Sequence, residues 1–346
     1  VISLLANNLD RDRYEAYVCC TAVAGDMADT LDRKDRLFVL GNTGRINVKG
    51  IRCLTRIIKK HAIDLVHSHS LTGLLYAYPA ARIANVPIVH TKHGYSGIHQ
   101  EKKPVAMIGK LFSRSVSEYI CVSEELRKRM EQEIGISAHK MATIYNGIDS
   151  PPHREKESGT RSGDIVIGSV GRLTTVKNYE ILIRAFKELR REYPRIRLEI
   201  VGGGESEQKL RELIDRLSLS DSVILHGYQR DVWKYYDRFD IFALTSIYEG
   251  LSMSLLEAIS RSKLCIVSDV GGNTEIIEHG VNGFVFESNN MSDLVSRLSE
   301  AVEHIDSEHM ENLRNNAYKT FQNKFSVRTM VRKHEELYSR HIRNRA

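Results

Sequence analysis

SIYEGLSMSLLEA, residues 246–258, is the stretch on which the fold turns. It follows the apolar run Ile241–Leu244, which reads as a buried strand, and it leads into a helical pattern over Ser252–Arg261. Glu249 therefore sits in the loop at the C-terminal end of a strand, where open α/β sheets bind ligands. Gly250 lets the backbone approach such a ligand closely. Ser252 or Ser254 starts the helix and offers its free N–H groups to an anion. Glu257, separated from Glu249 by seven residues, falls in the first turns of that helix. A carboxylate there can accept hydrogen bonds from a pair of ribose hydroxyls. Ser254-x-x-Glu257 also fits a capping box, so on these residues alone both readings stand.

Working outward, short β-branched runs alternate with amphipathic stretches along the whole chain. The first half predicts strands at Tyr17–Thr21, Leu37–Leu40, Leu65–His67, Ile88–His90, Tyr119–Val122 and Ala142–Tyr145, with helices such as Val48–His61 and Gly73–Ala84 between them. Residues 146–163 break the pattern with Pro151, Pro152, Gly159 and Gly163 in a polar filling, the composition of a linker. Alternation restarts at Ile165–Val170 and runs through strands at Leu198–Val201, Ser222–Leu225, Ile241–Leu244, Cys265–Ser268 and Gly283–Phe286. Helical stretches close the chain near Glu308–Thr320 and Ser326–His341. Apolar strands alternating with helices mean parallel sheets covered on both faces. The expectation is an α/β chain of two Rossmann-like domains facing a cleft: residues 1–150, a linker at 151–163, a second domain at 164–325, and a C-terminal helix at 326–346 that packs back toward the first domain.

Three further loops follow strands of the second half. GSVGRLTTVKN, residues 168–178, places Arg172 and Lys177 five apart before a helix, a planar fork and a point charge suited to a diphosphate. VGGGES, residues 201–206, is not a full dinucleotide fingerprint, but Gly203 and its neighbours mark a tight turn or backbone close to a ligand. SDVGGNTEII, residues 268–277, has Asn273 or Thr274 as the cap of a short helix, with amides that would suit a sugar or phosphate. In the first half, His67 and His69 end a strand and are two apart, without a third metal ligand, and His93 stands in a Gly-containing loop after Ile88–His90. Asp10-x-Asp12 is assigned to helix termination and no metal site is expected. Residues 100–118 set Lys102, Lys103, Lys110 and Arg114 beside Val105, Met107, Ile108, Leu111 and Phe112. Such a helix suits either a domain core or an anionic bilayer.

Composition is that of a soluble globular protein: 42% apolar and 27% charged over 346 residues. The net charge of +6 lies wholly in residues 1–150, which carry 21 Lys or Arg against 15 Asp or Glu. That asymmetry fits either a solvated face or an anionic partner such as a membrane surface, and without an aromatic-interleaved basic stripe it does not support nucleic-acid binding. The five cysteines form no CxxC pair, which fits a reducing cytosol. VISLLANNL at the start reads as the middle of a helix, so residues are expected to precede Val1.

Taken in order, these segments resemble the family 4, or group 1, glycosyltransferases. The resemblance covers nearly the whole chain, from HSHS and HTKHG through VSEEL, IYNGID and VGRLTTVKN to the paired glutamates and the Gly271–Phe284 segment. It implies the GT-B fold, retention of anomeric configuration and no metal-bound DxD. It also implies roles: Arg172 and Lys177 on the donor diphosphate, Glu257 on the ribose, Glu249 and His93 at the reaction centre, and the amides of Gly250, Leu251 and Ser252 on sugar and phosphate. Gly203 and Asn273 complete the expected donor set. Family members usually open with a strand and a Gly-rich loop before the helix that corresponds to Val1–Leu9, and neither is present here.

The expected activity is retaining transfer of a sugar from a nucleotide-diphosphate sugar, UDP first and GDP next, to a glycan or lipid-linked acceptor of the cell envelope. No cofactor or metal is expected. The expected location is the cytoplasm, with peripheral contact to an anionic inner membrane face. A non-catalytic nucleotide-sugar-binding subunit and a GT-B sugar-nucleotide epimerase are the alternatives.

Overall fold

The computed structural model describes residues 1–42, 46–94, 112, 115–151 and 163–343. The chain divides into two compact units, one of residues 1–149 with 326–346 and one of residues 150–325.

The first unit opens with helix α1 (Ile2–Asn8), followed by the parallel pair β1 (Val18–Cys20) and β2 (Leu37–Val39). Leu9, in extended conformation, is the C-cap of α1, and Asp10 builds the turn that follows: its Oδ1 accepts from the Asp12 amide, and its own amide donates to Glu335. Helix α2 (Val48–Lys60) starts where the Asn47 side chain accepts from the Gly50 amide. Then come β3 (Val66–His69), α3 (Ser70–Ala84), β4 (Ile88–Lys92), β5 (Glu118–Cys121), α4 (Glu124–Arg129) and β6 (Met141–Thr143). Strands β3 to β6 form a parallel sheet in that order. Most of the basic segment at residues 100–118 lies outside the described residues.

The second unit builds one parallel sheet from β7 (Ile165–Val170), β8 (Ile196–Val201), β9 (Val223–Leu225), β10 (Ile241–Leu244), β11 (Leu264–Ser268) and β12 (Phe284–Phe286). Every residue of β10 and β11 is buried, which is why their sequences are continuous apolar runs rather than alternating ones. Helices α5 (Tyr179–Glu192), α6 (Glu207–Arg216), α7 (Trp233–Arg238), α8 (Met253–Ser260), α9 (Asn273–Ile276), α10 (Met291–Glu303) and α11 (Glu308–Thr320) follow the strands in turn. Leu182, Phe186, Leu294 and Leu298 from α5 and α10 join Ile167, Leu198 and Ile266 of the sheet in one core. The strand order is β12-β11-β10-β7-β8-β9. It is the order of a dinucleotide-binding fold, and it puts the topological switch between β7 and β10.

The last helix, α12 (Val327–Arg343), belongs to the first unit. Its Met330, Val331, Leu337 and Tyr338 pack with Leu5 of α1, Val89 of β4 and Ile120 of β5. Tyr14 reinforces the seam by donating to the Glu335 carbonyl and bonding the Ser339 hydroxyl.

Candidate functional site

In open α/β sheets the switch in strand order, here between β7 and β10, is where ligands bind, outside the strands' C-terminal ends. Lys177 comes from the loop after β7, where a short turn over Thr175–Lys177 ends at Asn178 in the left-handed conformation just before α5. Glu249 comes from the loop after β10. The Lys177 ammonium donates to Glu249 Oε1 over 2.5 Å, and the Ser246 hydroxyl donates to the same oxygen over 2.8 Å. The two side chains are 19% and 12% exposed, so the pair is largely withdrawn from water. The loops are stitched together by the Ile247 amide donating to the Val176 carbonyl and by the Thr245 hydroxyl, which faces the carbonyls of Lys177 and Asn178. Arg172, in contrast, is exposed and joins no ion pair among the described residues.

Helix α8 begins after this loop. Ser252 is its cap, its hydroxyl accepting from the Leu255 amide and bonding the Ser254 hydroxyl. Ser254 lies inside the helix, so the capping-box alternative for Ser254 and Glu257 is wrong. The reason is register: the chain enters the helix two residues earlier than that box requires. The amides of Gly250, Leu251 and Ser252 donate to no acceptor among the described residues, and they precede a helix whose dipole favours negative charge.

Glu257 is one turn further on, and there the structure adds a residue that the motif reading missed. Tyr236, on α7, is fully buried, and its hydroxyl lies 2.8 Å from Glu257 Oε2 and 2.9 Å from the Ser254 carbonyl. Burial pushes that hydroxyl well above its ordinary pKa, with the Glu257 charge adding to the effect, so it stays a donor. Burial also pushes the Glu257 carboxyl up, while the Tyr236 hydrogen bond pulls it back. Oε2 is thus engaged from behind, and Oε1 has no partner among the described residues. The signal for Tyr236 in the sequence is only a tyrosine pair in WKYYDR, indistinguishable from core aromatics.

The glycines serve contacts between loops. A Cβ on Gly202, at φ +144, would lie 1.9 Å from the Gly171 carbonyl oxygen, and one on Gly271, at φ +54, would lie 1.8 Å from that of Glu249. The loops after β7 and β8, and those after β10 and β11, therefore meet backbone to backbone. Gly203 accepts from the Leu173 amide in the same packing. Asn273 does not cap α9, and neither does Thr274. Gly272 is the cap position, and Asn273 is the first helical residue, fully buried, its Nδ2 donating to the Ser268 carbonyl. That carbonyl also accepts from the Val270 amide, so Asn273 adds a second donor that ties the start of α9 to the end of β11.

In the first unit His93 follows β4, and its Nε2 lies 2.8 Å from His69 Nδ1. Burial lowers His93 to about 4 and holds His69 well below the usual histidine range, so both rings are neutral at pH 7. One must then donate to the other, which leaves Nδ1 of His93 and Nε2 of His69 for other partners. His67 is saturated: Tyr338 and Thr91 hydroxyls bond its two ring nitrogens at 2.6 Å each. It is a clamp between β3, β4 and α12. Among the described residues no group of three or more His, Cys, Asp or Glu is placed to hold a metal ion.

Comparison with known proteins fits this architecture. Residues 1–150 match the model of "Glycosyltransferase Family 4" and residues 152–320 that of "Glycosyl transferases group 1". The chain is 26% identical to an Escherichia coli UDP-Gal:alpha-D-GlcNAc-diphosphoundecaprenol alpha-1,3-galactosyltransferase, over 95% of this chain and 90% of that one. An Escherichia coli O-antigen biosynthesis glycosyltransferase, WbnH, is 29% identical over 68% of this chain and 66% of its own. Among solved structures, Anabaena Alr3699/HepE in complex with UDP superposes with a TM-score of 0.83 at 23% identity, covering 98% of this chain and 94% of that one. A glycosyltransferase from Rickettsia africae ESF-5 gives 0.82 at 23% identity, covering 95% and 91%. The chain belongs to the family 4, group 1, glycosyltransferases and is a sugar-transferring enzyme of the GT-B fold.

Proposed function

We propose that this enzyme transfers a sugar, with retention, from a UDP-sugar held by residues 150–325 to a lipid-linked glycan of a bacterial envelope. Residues 1–149 serve the acceptor. The observation that carries the donor assignment is the Lys177–Glu249 pair at the β7/β10 switch. A diphosphate entering there takes Lys177 as its counter-ion, joined by the exposed Arg172 and by the amides of Gly250, Leu251 and Ser252. Glu257 Oε1 receives a ribose hydroxyl. Gly203 and Asn273 hold the loops that line this site.

In the reaction the acceptor oxygen bonds to the anomeric carbon, and the bond to the diphosphate breaks with its electron pair on the leaving group. Cations and helix amides stabilise that developing charge, while Glu249, freed from Lys177, faces the positive sugar ring. His93 Nδ1 is the candidate to contact the sugar or the acceptor's proton. No step needs a metal ion. The similarity to a galactosyltransferase named for a diphosphoundecaprenol acceptor supports an acceptor at the inner membrane surface. No helix among the described residues is long and apolar enough to cross a membrane.

The test is transfer of radiolabel from UDP-galactose, UDP-glucose and UDP-N-acetylglucosamine to a polyprenyl-diphosphate sugar, with EDTA present. Label moving into the lipid phase from one donor, in an α-linkage by NMR, supports the reading. A strict requirement for added divalent metal, or a β-linked product, contradicts it.

A further inference from the structure

Tyr179 opens α5, the helix that follows the Lys177 loop. It is 3% exposed, and its hydroxyl is sealed from water without a hydrogen-bond partner among the described residues. The nearby Ser169 hydroxyl is committed to the Ala243 carbonyl over 2.7 Å and does not stand in hydrogen-bond geometry to it. Tyr236 of the same unit, equally buried, bonds both Glu257 and the Ser254 carbonyl. A buried hydroxyl without a partner forfeits its hydration for nothing, which sets Tyr179 apart from a tyrosine that only fills space.

The surroundings of that hydroxyl are the Lys177–Glu249 pair. A Cβ on Gly171 would lie 2.8 Å from the Tyr179 oxygen and 3.3 Å from Lys177 Cε, so the hydroxyl and the lysine stem flank the same point. Cε is one bond short of the ammonium that donates to Glu249 Oε1. Ser246 donates to that oxygen too, while Oε2 of Glu249 has no partner among the described residues. Burial raises the Tyr179 phenol above its ordinary pKa and the Glu249 charge adds to it, so the hydroxyl keeps its proton. A donor without an acceptor thus stands beside a carboxylate oxygen without a donor, and the Lys177 side chain holds the carboxylate by its other oxygen.

We propose that Tyr179 is a positioning residue whose hydroxyl replaces Lys177 as the donor to Glu249 once the donor diphosphate draws the lysine away. The inference rests on the donor-site reading. Glu249 then stays ionised and oriented although its counter-ion has left, and the protein needs no water to follow it into the site. The cost of an unpaired hydroxyl falls on the free enzyme, and the hydrogen bond is gained on binding.

The measurement is thermal melting and UDP calorimetry of the full chain carrying Tyr179→Phe, alone and combined with Glu249→Gln. In the free enzyme the hydroxyl has no partner, so Tyr179→Phe should melt at the wild-type temperature or above it. With UDP bound, Glu249 lacks its replacement donor, and affinity should fall about 10-fold or more. On Glu249→Gln, where no charge waits to be compensated, the same substitution should cost about 3-fold or less. A purely structural tyrosine would lose stability, and would lose affinity equally in both backgrounds. A lower melting temperature overturns the proposal, since the hydroxyl would then have a partner, such as a bound water, in the free enzyme. So does an unchanged UDP affinity, or an equal loss on Glu249→Gln. Failure of the wild type itself to bind UDP would instead remove the donor-site reading, and this inference with it.

Discussion

Lys177 Nζ donates to Glu249 Oε1 over 2.5 Å and ties the loop after β7 to the loop after β10. Both groups are charged and mostly buried, so each neutralises the other until a ligand arrives. In the proposed donor site a nucleotide diphosphate draws Lys177 away from Glu249. Lys177→Ala therefore should weaken UDP binding by about 10-fold or more, and leave Glu249 buried without its counter-ion. Glu249→Gln should bind UDP at least as tightly as the wild type, because Lys177 no longer has to be released. Its turnover should fall by about 100-fold or more if the carboxylate faces the sugar. Calorimetry and steady-state kinetics on the two variants read these opposite effects, and a Glu249→Gln enzyme that loses binding together with turnover would contradict the exchange.

In the proposed donor site Tyr236 positions Glu257 for the ribose. Removing its hydroxyl leaves Glu257 Oε2 with one donor fewer in a buried setting. Tyr236→Phe should weaken UDP binding by about 3–10-fold, the range of one hydrogen bond, and leave binding of 2′,3′-dideoxy-UDP unchanged. Equal losses for both nucleotides would reduce Tyr236 to a core residue.

Gly202 and Gly271 have positive φ and face a neighbouring carbonyl oxygen within 2 Å of where a Cβ would stand. Alanine at either site should cost at least about 2 kcal/mol in urea denaturation. Gly271→Ala should in addition displace Glu249 and depress turnover in whatever protein still folds. Unchanged unfolding midpoints would show that the loops can separate without cost.

The histidines of the first unit set its acid limit. Burial lowers His90 to about 3 and His93 and His334 to about 4, and holds His67 and His69 well below the usual range. Their folded pKa values lie below the unfolded one near 6.5, so the unfolded chain takes up protons first as pH falls. Stability is full above about 6.5 and declines from there toward 4. His334→Gln should shrink that decline, read as Tm against pH. A decline that began only below pH 4 would trace the acid sensitivity to carboxylates instead.

The strands of the second unit were legible because sheets buried on both faces write continuous apolar runs, and IVIGSV, IFAL and LCIVS carry that signature. Lys177 and Glu249 were legible as loop residues at strand ends. Their pairing was not, because it joins positions 72 residues apart through the switch in strand order. Tyr236 escaped because a buried tyrosine reads the same whether it fills space or positions a carboxylate. Short α4 and α7 left too few turns for a periodic pattern. The caps at Ser252 and Gly272 were uncertain by one or two residues, since several cap-forming residues crowd each start and tertiary contacts decide among them.

Titration of UDP, GDP and ADP into this chain by calorimetry, with Lys177→Ala and Glu257→Ala alongside, tests the donor site most directly. Micromolar binding of UDP, weakened in both variants, is the predicted result. Absence of binding by any of the three nucleotides to a well-folded chain, or UDP affinity unchanged in both variants, would contradict it.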